Sequence, residues 1–209
     1  MKRSMVLVLS MGAMLLVAGA ASGAIITTYT DEAAFKAAIA PGYYQEGFNY
    51  APWLTVEDPA IPSPQSFAGS GWAFQLSSSR GLSGQPTPAP DSGGATAPYY
   101  GVDALIVTFT GTLPKAVGGI FWVTNQYGAF VPGGTVALTL NSGGTYTYSD
   151  TSNYPAFTGF VSDTPITSMS LIDSGNWASM DNLVVGAPEP ATLALMALGG
   201  VGLLLCRKR

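Results

Sequence analysis

The chain has 209 residues, 47% apolar and only 10% charged, with eight basic against twelve acidic side chains and a net charge of −4. The absence of histidine excludes a Ser-His-Asp or Cys-His catalytic pair and any histidine-ligated zinc or haem, and a single cysteine excludes an internal disulfide and a CxxC motif. The charged fraction falls well below the roughly 25% of ordinary soluble domains, and the apolar excess lies at the two ends.

The first element is a targeting segment. Lys2 and Arg3 form a basic start, Met5 to Ala21 an apolar run interrupted by Ser10, Gly12 and Gly19, and Ala21-Ser22-Gly23-Ala24 a small-residue exit. This is the layout of a secretory signal peptide over residues 1–24, cleaved after Ala24, with Ala18-Gly19-Ala20 as the alternative. The run is shorter than the roughly 20 apolar residues of a membrane span.

Residues 25–186 form the expected extracellular domain. Asp31 to Ala40 reads as its one helix, with Thr30 or Asp31 as N-cap and Phe35 and Ile39 four apart on one face. Period-two alternation follows almost everywhere else. Strands are expected at Ile25–Tyr29, Tyr43–Phe48, Trp72–Ser77, Leu105–Phe109, Val117–Thr124, Phe157–Ser162, Ile166–Ile172 and Leu183–Val185. Between Gly134 and Ser149 two alternating runs flank the turn cluster Asn141 to Gly144, which predicts a hairpin. Ser83 to Pro98 carries four prolines and three glycines without apolar periodicity and reads as a surface loop or insertion. About ten short strands and one early helix predict an all-β fold, a two-layer, jelly-roll-like β-sandwich.

Between residues 25 and 187, Lys36, Arg80 and Lys115 face eleven acidic residues, which leaves −8 and no basic cluster. Such a surface does not fit a phosphate backbone, so nucleic acid is excluded as a partner. Glu46 and Asp181 adjoin apolar strand residues, and a sandwich could set them at a glycosidase separation; nothing in their spacing requires it, and the domain is expected to be non-enzymatic. Trp53 and Tyr99-Tyr100 sit beside prolines in loops, where aromatic faces can stack on sugars or simply fill a core. They are the candidate carbohydrate contacts. Asp173, Asn176 and Asp181 offer side-chain oxygens within ten residues, a candidate structural calcium site without the regular spacing of an EF-hand, set against an ordinary Asx turn. No other cofactor is indicated.

The chain closes with Ala187-Pro188-Glu189-Pro190, sixteen uncharged residues from Ala191 to Cys206, and Arg207-Lys208-Arg209. Sixteen helical residues reach roughly 24 Å, a little less than the ~30 Å hydrocarbon core, and suit a thin bilayer. The basic terminus then stays cytoplasmic, so the helix stops transfer with the domain already exported. Prolines 188 and 190 keep their predecessors extended, which makes the tripeptide an accessible protease substrate. Cys206 reads as a small apolar residue of this run.

This tail resembles a PEP-CTERM sorting signal in its Pro-Glu-Pro motif, Gly-interrupted hydrophobic helix and basic terminus at residues 187–209. The resemblance implies a Gram-negative bacterial protein processed by exosortase, a membrane-embedded cysteine transpeptidase-like enzyme. It implies Pro188, Glu189, Pro190, Arg207, Lys208 and Arg209 as the sorting residues, and a membrane-anchored precursor that ends at the cell surface or outside the cell. Extracellular polysaccharide is the implied setting and a candidate partner. More loosely, Phe35-Lys-Ala-Ala38, Phe157-Thr-Gly-Phe160 and Trp177 with Asp181-Asn182-Leu183 resemble other ectodomains of this kind, where the Asp-Asn pair reads as a fold marker. The expected role is structural or adhesive, and the alternatives are a carbohydrate-binding module or a secreted glycoside hydrolase.

Overall fold

The computed structural model describes residues 24–50, 53, 61–84, 94–96, 103–125, 131–132, 135–141, 143–149, 156–172 and 176–190. In chain order the elements are β1 (Ile26–Tyr29), α1 (Glu32–Ala38), β2 (Tyr44–Glu46), β3 (Gln65–Gly69), β4 (Trp72–Ser77), β5 (Ser83–Gly84), β6 (Ala95–Thr96), β7 (Leu105–Thr110), β8 (Ala116–Thr124), β9 (Thr135–Leu140), β10 (Thr145–Ser149), β11 (Ala156–Ser162), β12 (Ile166–Ile172) and β13 (Trp177–Gly186). They build two antiparallel sheets. One has seven strands in the order β1-β11-β8-β13-β6-β5 with β2 also paired to β13, and the other has six in the order β10-β9-β12-β7-β4-β3. The strands β2 and β6 share one edge of β13 end to end, at Val185–Leu183 and at Met180–Ser179.

A single apolar cluster draws on both sheets, with Val117, Phe121, Phe160, Met180, Leu183 and Val185 from the larger and Phe74, Leu76, Val107, Leu138 and Met169 among those from the smaller. The aromatic rings of Tyr146 and Tyr148 on β10 pack edge-on against Phe160 of β11. A second cluster forms where α1 lies on the seven-stranded sheet and joins Phe35 and Ile39 to Ala116, Phe157 and Val184. The helix needs a close seat, and two glycines provide it. Gly118 and Gly159 are register partners on β8 and β11, and a Cβ on Gly159 would stand 2.5 Å from Phe35 Cδ2.

The expected helix is present with Asp31, not Thr30, as its cap: Asp31 Oδ1 accepts from the Ala34 amide at 2.7 Å. The expected β9–β10 hairpin is also present, closed by the Leu140 amide donating to the Gly144 carbonyl at 2.8 Å. Three readings change. Strand β3 lies where none was expected, joined to β4 by Ser70 and Gly71 at φ of 52° and 82°, a two-residue turn between register partners Gly69 and Trp72. The stretch Ser83 to Pro98 is not loop throughout, since β5 and β6 pair at Ser83–Thr96 and Gly84–Ala95. Strand β13 is far longer than the expected Leu183–Val185: Ala178 and Met180 before the bulge and Leu183 and Val185 after it face the core, and the bulge at Asp181–Asn182 breaks the alternation between them. Residues 1–23 of the expected signal peptide and the tail run Ala191 to Cys206 lie outside the described residues. Among the described residues no helix is long and apolar enough to cross a membrane.

Candidate functional site

Ala187 to Pro190 is the first candidate, and its placement begins with how α1 ends. Ile39 leaves the helix in an extended conformation, φ −111° and ψ 149°, and Pro41 bars continuation. The last carbonyls of a helix lack partners within it, and here the Ala38 carbonyl accepts from the Glu189 amide at 3.3 Å. The Ala40 amide in turn donates to the Ala187 carbonyl at 2.8 Å. Between these two bonds Ile39 and Pro188 face one another as an antiparallel bridge. That is the position of an antiparallel pair whose own N–H groups point away from the partner, so a proline fits there without losing a ladder bond. Pro188 is buried, Ala187 and Glu189 are half-buried, and Pro190 is exposed. One residue upstream, the Lys115 amide donates to the Gly186 carbonyl at 3.1 Å, so the clasp continues β13.

The segment is therefore extended, as its prolines dictate, but it is paired to the body. Arg207, Lys208 and Arg209 lie outside the described residues. Nothing local to Ala187-Pro188-Glu189-Pro190 announces the pairing, because its partner stands about 150 residues earlier in the chain.

The second candidate surrounds Glu46, which is 7% exposed. Tyr44 and Glu46 are two apart on β2 and so share a face; the Tyr44 hydroxyl donates to Glu46 Oε2 at 2.6 Å, and the Phe48 amide donates to Oε1 at 2.9 Å. Phe48 sits at φ 51°, a conformation this turn imposes on a bulky residue. Burial and then the Glu46 hydrogen bond and charge raise the Tyr44 hydroxyl well above the usual phenol range. Burial and the Glu46 charge raise Tyr50 as well. On the other face of β2, Gln45 donates to Asn182 Oδ1 at 3.1 Å and accepts from Lys36 Nζ at 2.8 Å, and Lys36 pairs with Glu32 at 2.6 Å. Read from sequence, Glu46 is set beside Asp181, whereas its hydroxyl partner is Tyr44, and the Tyr-x-Glu alternation is the signal that ties the two together.

Asp181 is buried beside a β-bulge in β13, and its Oδ1 accepts from the Asn182 amide at 2.7 Å, with Asn182 at φ 50°. Glu46 registers with Leu183, two residues further along the strand. Asn176 is half-buried, and Asp173 lies outside the described residues. Among the described residues no three Cys, Asp or Glu side chains are grouped to hold a metal ion. The Asp-Asn pair does shape the strand, since the bulge is where the register with β8 shifts.

Trp53 is 2% exposed. Its ring meets Phe48 edge-on at 5.2 Å and Phe67 at 6.0 Å, and Phe67 stacks on Phe74 at 5.0 Å. A sugar needs an open aromatic face, and Trp53 spends its ring in the core under the loop after β2. Tyr99 and Tyr100 lie outside the described residues.

Residues 187–209 match the model of the PEP-CTERM protein-sorting motif. No curated protein and no solved structure matches the chain. The motif carries C-terminal sorting of an exported protein and is associated with processing by exosortase.

Proposed function

We propose that this chain is an exported structural or adhesive protein whose β-domain is delivered to the cell surface or the extracellular polymer by its C-terminal signal. The observation that carries this reading is the sorting-motif match at residues 187–209, which follows directly on the last strand, β13, ending at Gly186. Exosortase is the partner. The run Ala191 to Cys206 holds the precursor in the membrane, and cleavage of a backbone amide near the motif passes the domain's acyl carbon to water or an amine acceptor while the new amine leaves with the tail.

For the domain we favour a two-layer sandwich of jelly-roll kind. Support comes from β7, β8, β9, β11, β12 and β13, which alternate between the two sheets, with β9–β10 as a hairpin within one. The domain is read as non-catalytic. What favours this is that Glu46 spends its oxygens on a tyrosine and a backbone amide and Asp181 accepts from its own neighbour's amide, leaving little for acid-base work. The test of sorting is the intact mass of the extracellular form. A species lacking the tail is expected, and one that retains Arg207 to Arg209 overturns the reading; Glu189→Ala is expected to leave a membrane-retained precursor.

A further inference from the structure

We propose that the folded body gates removal of its own tail, by holding Ala187 to Glu189 clasped against the end of α1 so that the motif is presented only when this clasp opens. The inference rests on the sorting reading above and adds a regulatory contact to it. Enzymes that cut peptide backbones commonly take them as extended strands and use their N–H and C=O groups for pairing. In this chain the Ala187 carbonyl and the Glu189 amide already serve Ala40 and Ala38, and the Pro188 ring is buried opposite Ile39. Ile39 in turn is packed with Phe35 and Val184, so the clasp is backed by the second core and is not a chance surface contact. Gly186 reinforces it, since a Cβ there would lie 3.4 Å from Ile39 Cδ1 and 3.2 Å from Tyr43 Cβ.

A clasp of this kind opens locally, without unfolding the sheets, because among the described residues two backbone hydrogen bonds and one proline ring hold it beyond β13. Where opening and closing are fast relative to cleavage, the rate of tail removal scales with the open fraction. A misfolded or unfinished body would leave the motif unclasped, so the same contact ties the timing of processing to the state of the domain.

Ala40→Pro tests this with little disturbance, for it deletes the amide that reaches Ala187 while Ile39 already has the extended backbone that a residue before proline adopts. Ile39→Val loosens the other side of the clasp, and Leu138→Val in β9 serves as a control of similar cost in the other sheet. Hydrogen exchange on the detergent-solubilised full chain should show the Glu189 amide protected, with exchange roughly three- to tenfold faster in Ala40→Pro. Pulse-chase in the producing cell should show the tail removed faster by a similar factor in Ala40→Pro and Ile39→Val, and unchanged in Leu138→Val. A tail removed at one rate from all four proteins, or more slowly from the loosened variants, overturns the gate and leaves the sorting reading intact. A tail retained by all of them overturns both.

Discussion

Glu46 illustrates how one buried carboxylate organises its surroundings through neutral donors. Its two oxygens accept from the Tyr44 hydroxyl and the Phe48 amide, and the turn so fixed places Phe48 against Trp53 and Phe67. Leaving a buried donor unsatisfied costs about 1–3 kcal/mol and a lost hydrogen bond about 0.5–1.5 kcal/mol, so Glu46→Ala, which orphans the buried Phe48 amide and takes the partner of the half-buried Tyr44 hydroxyl, is expected to lose about 2–4 kcal/mol, whereas Tyr44→Phe loses one bond and keeps the ring on Phe74. Urea midpoints separate the two, and equal losses would show that the Tyr44 bond alone carries the contribution of Glu46 and that the Phe48 amide bond adds nothing. The sign of the pH dependence follows from Tyr44 and Tyr50, whose hydroxyls are raised in the folded state. A raised tyrosine binds its proton more tightly when folded, so its contribution is fully present below pH 10 and is lost as pH rises beyond that value. The melting temperature should fall above pH 10, more steeply than in Tyr44→Phe.

At the scale of elements, the seating of α1 decides how the larger sheet is covered. A seven-residue helix is too short to stand alone; it persists because Phe35 enters the hollow over Gly118 and Gly159 and touches the Phe157 ring at 5.4 Å between centroids. Gly159→Ala would place a methyl 2.5 Å and 2.8 Å from two Phe35 ring carbons, and overpacking of this kind costs about 1–3 kcal/mol. Combining it with Phe35→Leu should cost less than the sum of the two single changes, as expected for residues in contact. Additive losses in thermal unfolding would show that Gly159 matters for some reason other than the helix.

For the whole molecule, the clasp makes the boundary of the folded domain fall after Glu189 and not at the end of β13. A chain ended after Pro190 keeps the Ile39–Pro188 bridge and its two flanking bonds, and one ended after Gly186 loses them. The shorter form should be less stable by about 1–3 kcal/mol, which for a domain of this size lowers the melting temperature by roughly 2–4 °C per kcal/mol. Identical melting curves would place the domain boundary at β13. Since the one cysteine, Cys206, lies beyond both ends, neither form should respond to reductant, and a reductant-dependent shift would contradict this.

The tail signal was legible from adjacent residues alone, because a sorting enzyme reads a short run of residue types and Pro-Glu-Pro, an uncharged stretch and a basic terminus are contiguous in the chain. The same holds for the α1 cap and the β9–β10 hairpin, whose hydrogen bonds join near neighbours. Whatever depended on distant partners was hidden. Trp53 stands beside a proline and looks like a loop residue, yet Phe67 closes over it; the alternation of β13 is broken at Asp181–Asn182, where the register with β8 shifts. Pro188 reads as a solvent-exposed marker until Ile39 is set opposite it. Burial and pairing of this kind are properties of which strands become neighbours, and long-range sheet pairing leaves no mark in the residue order on either side of the contact.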